Sequence, residues 1–231
     1  SNINAYYTNW ENKPANGGVT VMVDDVPFKA NINGMDALHK GIEMDFAYKI
    51  NNKLSLEGLL SLGDWKWTSS DTARFLNDDN NPVMINDTTE LIAPFDAEGV
   101  HVGDAAQTQY GLSLRYEPTS NSYIKLRGTY FDNYYADFDP LSLNGVNAGR
   151  ESWILPSYKL IDLHCGYTLK LNLKNKINFR FSVLNLLDEM YISDAQNNDP
   201  YNANYTDFDA KSAGVFFGLG RRFNLSAKFS F

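Results

Sequence analysis

In the stretch Ile177-Asn178-Phe179-Arg180-Phe181-Ser182-Val183 every odd position is apolar and every even one is polar or charged. Successive side chains of a strand point to opposite faces, so this segment reads as a β-strand with grease on one side and charge on the other. The same period recurs along most of the chain. Upstream, Leu38, Ile42, Met44, Phe46, Tyr48 and Ile50 alternate with His39, Gly41, Glu43, Asp45 and Lys49. Next, Leu54, Leu56, Gly58, Leu60 and Leu62 alternate with Ser55, Glu57 and Ser61. The last strand sets Phe223, Leu225, Ala227, Phe229 and Phe231 against Arg222, Asn224, Ser226, Lys228 and Ser230. Strands are expected over 2–10, 37–50, 54–67, 103–116, 122–138, 156–171, 176–191 and 212–231.

The connections come in two kinds that alternate. Short ones, rich in turn formers, fall at 51–53, 117–121 and 172–174. Long ones cover roughly 11–36, 68–102, 139–155 and 192–211. Paired residues must share a face; Ile50 and Leu54 do, which demands an odd-length turn. A three-residue turn at 51–53 and a five-residue turn at 117–121 are therefore predicted. No apolar run approaches the ~18 residues of a helical membrane span, but a barrel strand crosses with only about 9 to 11 residues, every second one apolar. Aromatic residues make up 14% of the chain, enough to furnish the interfacial girdles of such a barrel.

The expected fold class is all-β, an antiparallel transmembrane β-barrel segment of about eight strands. Outer-membrane barrels carry short periplasmic turns and long external loops, so the last strand should run inward and leave Phe231 on the periplasmic side. Lys40 and Arg221 have lipid-side parity near the outer strand ends, where long cationic side chains snorkel to headgroups. Two other architectures fit the pattern. A self-contained eight-stranded barrel must pair 2–10 with 212–231, and a soluble β-sandwich binding module must bury its apolar faces against each other.

The formal net charge of the 231 residues is -8, which disfavours nucleic acid as a partner. The acidity is concentrated in two long connections. Asp71, Asp78, Asp79, Asp87, Glu90, Asp96 and Glu98 stand against Arg74 alone in 68–102, and Asp194, Asp199, Asp207 and Asp209 against Lys211 in 192–211. The single Cys165 cannot form an internal disulfide and lies on the apolar phase of its strand, as a packing residue. Residues 1–7 lack the basic and apolar regions of a signal peptide, so any export signal is expected upstream.

Trp65 and Trp67 have lumen-side parity at the outer end of their strand, and Tyr134, Tyr135 and Trp153 flank the next long loop. Together they are candidates for a substrate-contacting aromatic cluster at the barrel mouth, against the plainer reading as interfacial or loop-packing rings. Asp78 and Asp79 offer the hard oxygens that Ca²⁺ takes. Their surroundings lack the Asp-x-Asp-x-Asp-Gly loop with a distal Glu, so a solvated acidic loop is expected and no metal site. His39, His101 and His164 do not make a ligand set and read as polar lining. Glu43, Asp45, Glu57, Arg115, Lys125, Arg127, Asp162, Arg180, Arg222 and Lys228 share the wet face and should form a cross-strand charge lattice. Nucleophile-elbow, phosphate-loop and dinucleotide motifs are absent, so neither an enzyme nor a cofactor is expected.

Three stretches carry a resemblance: Gly41-Ile42-Glu43-Met44-Asp45-Phe46 through Trp67, Leu155-Pro156-Ser157-Tyr158-Lys159-Leu160-Ile161-Asp162-Leu163-His164, and Val183 through Ser193 with its Asn185-Leu186-Leu187-Asp188. They resemble the C-terminal part of TonB-dependent outer-membrane receptors, in the form typical of the phylum Bacteroidetes. The close at Gly218 to Phe231 is similar to that family's final strand, with Phe229 and Phe231 as the aromatic assembly signal. The resemblance implies that residues 1–231 are the C-terminal portion of a 22-stranded barrel in the bacterial outer membrane. The plug domain and TonB box would then lie elsewhere in the receptor. It further implies active uptake of a bulky nutrient such as a metal chelate, vitamin, glycan or peptide. The partners it implies are the N-terminal barrel strands and plug, TonB reached through that plug, membrane lipids, the outer-membrane assembly machinery and an external lipoprotein.

Overall fold

The computed structural model describes residues 1–13, 20–23, 26–31, 34–77, 79, 81–86, 88–197, 210–211 and 213–231. The strands in chain order are β1 (Asn2–Lys13), β2 (Thr20–Val23), β3 (Val26–Asn31), β4 (Met35–Lys49), β5 (Leu54–Trp67) and β6 (Ser70–Leu76). There follow β7 (Met84–Asn86), β8 (Thr89–Glu90), β9 (Ile92–Asp96), β10 (Ala106–Thr119), β11 (Ser122–Tyr134) and β12 (Asp137–Phe138). The series closes with β13 (Tyr158–Lys170), β14 (Lys176–Leu184), β15 (Ile192–Asn197), β16 (Gly214–Phe217) and β17 (Arg222–Ser230). Eight of these form one antiparallel sheet in the order β1-β4-β5-β10-β11-β13-β14-β17.

Register carries the alternation across that sheet. Tyr116 faces Ile124, which faces Cys165, then Phe181, then Leu225. One step outward, Leu114, Leu126, Leu163, Val183 and Phe223 make a parallel row. Among the described residues no layer covers this apolar face: Leu112 is 54% exposed, Phe181 38%, Leu225 74% and Phe229 52%. A soluble sandwich would bury it, so that architecture is excluded. β1 and β17 are not paired with each other, so the eight strands do not close into a small barrel.

The opposite face is polar, and its charge lattice is sparser than expected. Among the described residues its ion pairs are Lys125 with Glu57 and Arg115 with Glu117, the Arg115 guanidinium also lying over the Tyr123 ring at 3.8 Å. Arg127 and Asp162 are register partners, yet Asp162 accepts the backbone N–H of Asn185 at 3.0 Å. On the apolar face Lys40 does not reach out alone; its Nζ lies 3.0 Å from Asp64.

The short connections lie together at one end. Ile50 and Leu54 face each other around 51–53, the Ile50 N–H donating to Leu54 O at 2.9 Å, as the parity argument requires. Asn51 Oδ1 accepts the N–H groups of Lys53 and Leu54, and Asn172 Oδ1 those of Lys174 and Asn175. These are Asx-type turns in which a side chain replaces a strand partner. The turn at 117–121 differs from expectation. Both strands continue, a bulge between Tyr116 and Thr119 absorbs one residue, and Thr119 faces Ser122 around Ser120-Asn121. The bulge preserves facial parity while shortening the turn.

Two wall strands end earlier than expected. β14 stops at Leu184 instead of 191 because Asn185 (φ 51°) turns the chain. The Asn185 side chain is buried; its amide donates to Glu189 O (2.8 Å) and Leu219 O (3.3 Å), and its Oδ1 accepts the Glu189 N–H at 2.8 Å. Asp188 (φ 57°) accepts the Arg221 N–H at 2.7 Å. The Asn-Leu-Leu-Asp segment thus ties the end of β14 to the start of β17. This splits the expected 212–231 strand into β16 and β17 at Gly218, where a Cβ would sit 2.0 Å from the Tyr191 ring. β11 likewise ends at Tyr134, and Asp137–Phe138 join another sheet.

The long connections are not bare loops. They fold at the other end into a four-stranded sheet β2-β3-β6-β9, a three-stranded sheet β12-β15-β16 and the pair β7-β8. Two short 3-10 turns, Pro140–Ser142 and Gly145–Asn147, lie between β12 and β13.

Candidate functional site

The aromatic candidates stand where the polar face of the wall meets these long connections, and the structure sorts them into separate clusters. Trp67 is 7% exposed and packs with Met35, Ala37, Phe95, Val100, Phe138 and Leu143. Backbone bonds strap the segment 99–102 to the end of β5. Trp67 N–H donates to Val100 O (2.9 Å), Gly99 N–H to Trp67 O (2.9 Å) and Val102 N–H to Trp65 O (3.0 Å). Buried Gln107 completes the seam, accepting from Trp65 N–H at 2.8 Å and donating to Trp65 O and Val102 O. Trp67 is therefore a packing residue of the loop core, with Lys13 Nζ 5.0 Å from its ring centre.

Trp65 is only partly buried, packing against the margin of the Trp67 cluster and reaching from there to a group of other rings. Its indole N–H donates to the Tyr6 hydroxyl at 2.8 Å, and its ring stacks on His39 at 5.1 Å and 8°. On the far side of His39 stands Trp10, 6.1 Å away and half exposed. Register produces this arrangement, since Thr8 faces His39 and His39 faces Trp65. Tyr6 lies over Gly41, where a Cβ would sit 2.4 Å from its hydroxyl. Tyr6, Trp10 and His39 were not among the aromatic candidates. The three-residue turn at 51–53 already implies the pairing of His39 with Trp65, so that signal was present.

Tyr134 is 7% exposed, in a second cluster with Ala106, Ala136, Leu155 and Ala195, its hydroxyl donating to Ser193 O at 2.9 Å. Trp153 packs against the same cluster. Tyr135 points elsewhere, stacked on His101 at 4.1 Å, and His101 in turn touches Glu151 at 2.5 Å. Burial, then Glu151, raises the Tyr135 phenol above its usual range. The five candidates thus fall in three places, and Trp65 shares its place with newly identified rings.

Electrostatics at this end are set by a group of neighbouring acids. Asp137 is pushed up to about 6, first by burial and then by neighbouring Asp104, with Asp194 adding to it. Asp104 is itself raised, by burial and then Asp194, with Lys13 opposing. Asp96 is held low by the Ser70 hydroxyl and the Glu98 N–H. Of the two calcium candidates, Asp78 lies outside the described residues. Asp79 is exposed in a turn capped by Asn77. Among the described residues no group of three acidic, His or Cys side chains converges on a metal-sized site.

No protein-family model matches the sequence, and no curated protein does. Among solved structures, 92% of the chain overlays 28% of the ferric yersiniabactin uptake receptor FyuA from Yersinia pestis, with a TM-score of 0.50 and 15% identity. The ferric-catecholate import receptor Fiu from E. coli K12, in its closed form, matches over 99% of this chain and 33% of its own, with a TM-score of 0.41 and 14% identity. A Pseudomonas aeruginosa FadL homologue matches over 86% and 36%, with a TM-score of 0.31 and 11% identity. The chain therefore spans between 28% and 36% of these structures' lengths. The likeness to FyuA shows the fold, that of an outer-membrane β-barrel wall.

Proposed function

We propose that this chain is the C-terminal wall of a TonB-dependent receptor that imports a bulky nutrient across the bacterial outer membrane. The observation that carries the reading is an eight-stranded sheet with an uncovered apolar face, a polar opposite face and both edges free. In a bilayer the apolar face meets acyl chains and the polar face lines a hydrated lumen. The free edges of β1 and β17 then take further strands of the same receptor, 22 in all, because an unpaired edge is not tolerated in hydrocarbon. The elaborated end faces outward and the short turns face the periplasm. Stacked Phe229 and Phe231 are presented to the assembly machinery at the inner end.

Within this reading the plug and its TonB contact are supplied by the rest of the receptor, and an external lipoprotein caps the mouth. The role is transport and not catalysis, no cofactor is bound, and the affinity to Bacteroidetes receptors rests on the motifs alone. The test is made on the intact protein in its native host. It should float with outer-membrane vesicles and migrate faster on gels unheated than boiled, and nutrient uptake should stop when TonB is deleted. Recovery in the soluble fraction, or uptake indifferent to TonB, overturns the proposal.

A further inference from the structure

Resting on the receptor reading, we infer that Trp10, His39, Trp65 and Tyr6 form a stacking surface on the lumen wall for an uncharged oligosaccharide. Three rings from three adjacent strands stand side by side, Trp10 to His39 at 6.1 Å and His39 to Trp65 at 5.1 Å. Trp10 faces Ala37 in register, which puts its indole on the polar face beside His39, tilted by 57° to that ring. The Trp65 indole is held by Tyr6, which fixes the wall before a ligand arrives and lowers the ordering cost of binding. The buried His39 Nε2 has no hydrogen-bond partner among the described residues.

What lies beside the rings selects the ligand. Inward along the same face come Asn4 with Glu43 and Asn2 with Asp45, the amides donating to the carboxylates at 3.4 Å and 3.0 Å. Ser61 faces Glu43, and Thr8 faces His39. Aromatic faces take the C–H faces of pyranose rings, while amides, carboxylates and hydroxyls suit sugar hydroxyls in both donor and acceptor roles. Between Lys13 and Lys49 this strip of β1, β4 and β5 carries no Lys or Arg on the polar face. Lys13 beside the rings and Lys125 and Arg127 on β11 offset Glu43, Asp45 and Glu57, so a polyanionic chelate meets no net cationic surface here, which costs affinity. The uncharged, hydroxyl-rich ligand is the complementary one.

The test uses the intact receptor in detergent, titrated with uncharged hexasaccharides of glucose, mannose, xylose and arabinose, and separately with ferric tris-catecholate, following tryptophan fluorescence and heat. At least one hexasaccharide should bind, Trp10→Ala should weaken it about tenfold or more, and Trp10→Phe should restore most of the affinity. Trp65→Ala should act in the same direction. Binding of ferric tris-catecholate alone, failure of every hexasaccharide, or sugar binding indifferent to Trp10→Ala overturns the inference. Heat-modifiable gel migration, measured on each variant, separates these outcomes from a failure of the receptor reading, because a chain that is no outer-membrane barrel loses that property whatever it binds.

Discussion

Asn185 shows how much one side chain can hold. It adopts a left-handed backbone that disfavours most residues by about 1 to 2 kcal/mol, and its buried amide satisfies groups on two segments at once. Asn185→Ala should therefore cost about 3 kcal/mol in unfolding free energy, read as a lowered denaturation midpoint in micelles. Asn185→Gly keeps the backbone and should lose less. Asp137 makes a prediction of opposite character. Its folded pKa, about 6, lies above its unfolded value, so the folded loops bind the extra proton. Their stability is fullest below the unfolded pKa and falls as pH rises through 6. Amide exchange at Phe138 and Gln196, corrected for intrinsic rate, should be slower at pH 5 than at pH 7.5. That difference, about 1.4 kcal/mol, should vanish in Asp137→Asn. An unchanged pH response in the variant would show that another group controls the sheet.

At the level of strands, the wall was legible because two different environments enforce parity on every residue between Lys176 and Leu184 and its counterparts. Phe181 and Ser182 make the contrast testable. Phe181→Lys, on the apolar face, should cost about 2 to 4 kcal/mol and reduce the folded barrel, whereas Ser182→Lys, on the polar face, should assemble normally. Equal yields would argue against lipid on that face. The breaks were only partly legible. Alternation lapses after Val183, with Leu186-Leu187 and Asp188-Glu189 side by side, so hydropathy marked the end of β14, whereas the positive φ at Asn185 that turns the chain leaves no mark on it. The outer sheets escaped notice for a related reason. Phe95 and Val100 are buried in one small cluster and Phe75 with Ala73 in another, and clusters of that size impose no period. Parity alone puts Trp65 on the face of His39, its register partner, but Tyr6, Trp10 and His39 come from other strands and emerge as its neighbours only when register is applied across the sheet.

On the scale of the molecule, the outer edges of β1 and β17 are unpaired among the described residues. On the proposed reading, cysteines placed at Ile3 and Leu225, on β1 and β17, should form no disulfide with each other under oxidising conditions. An Ile3–Leu225 disulfide would mean that the eight strands close on themselves. The separation of tight Asx turns at one end from folded connections at the other also has a practical side. Foreign peptides grafted into the 3-10 segment around Val146, whose side chain is 99% exposed, should be displayed with the scaffold unharmed. A graft of equal length between Asn51 and Lys53 should abolish biogenesis, which makes the molecule a one-sided display platform.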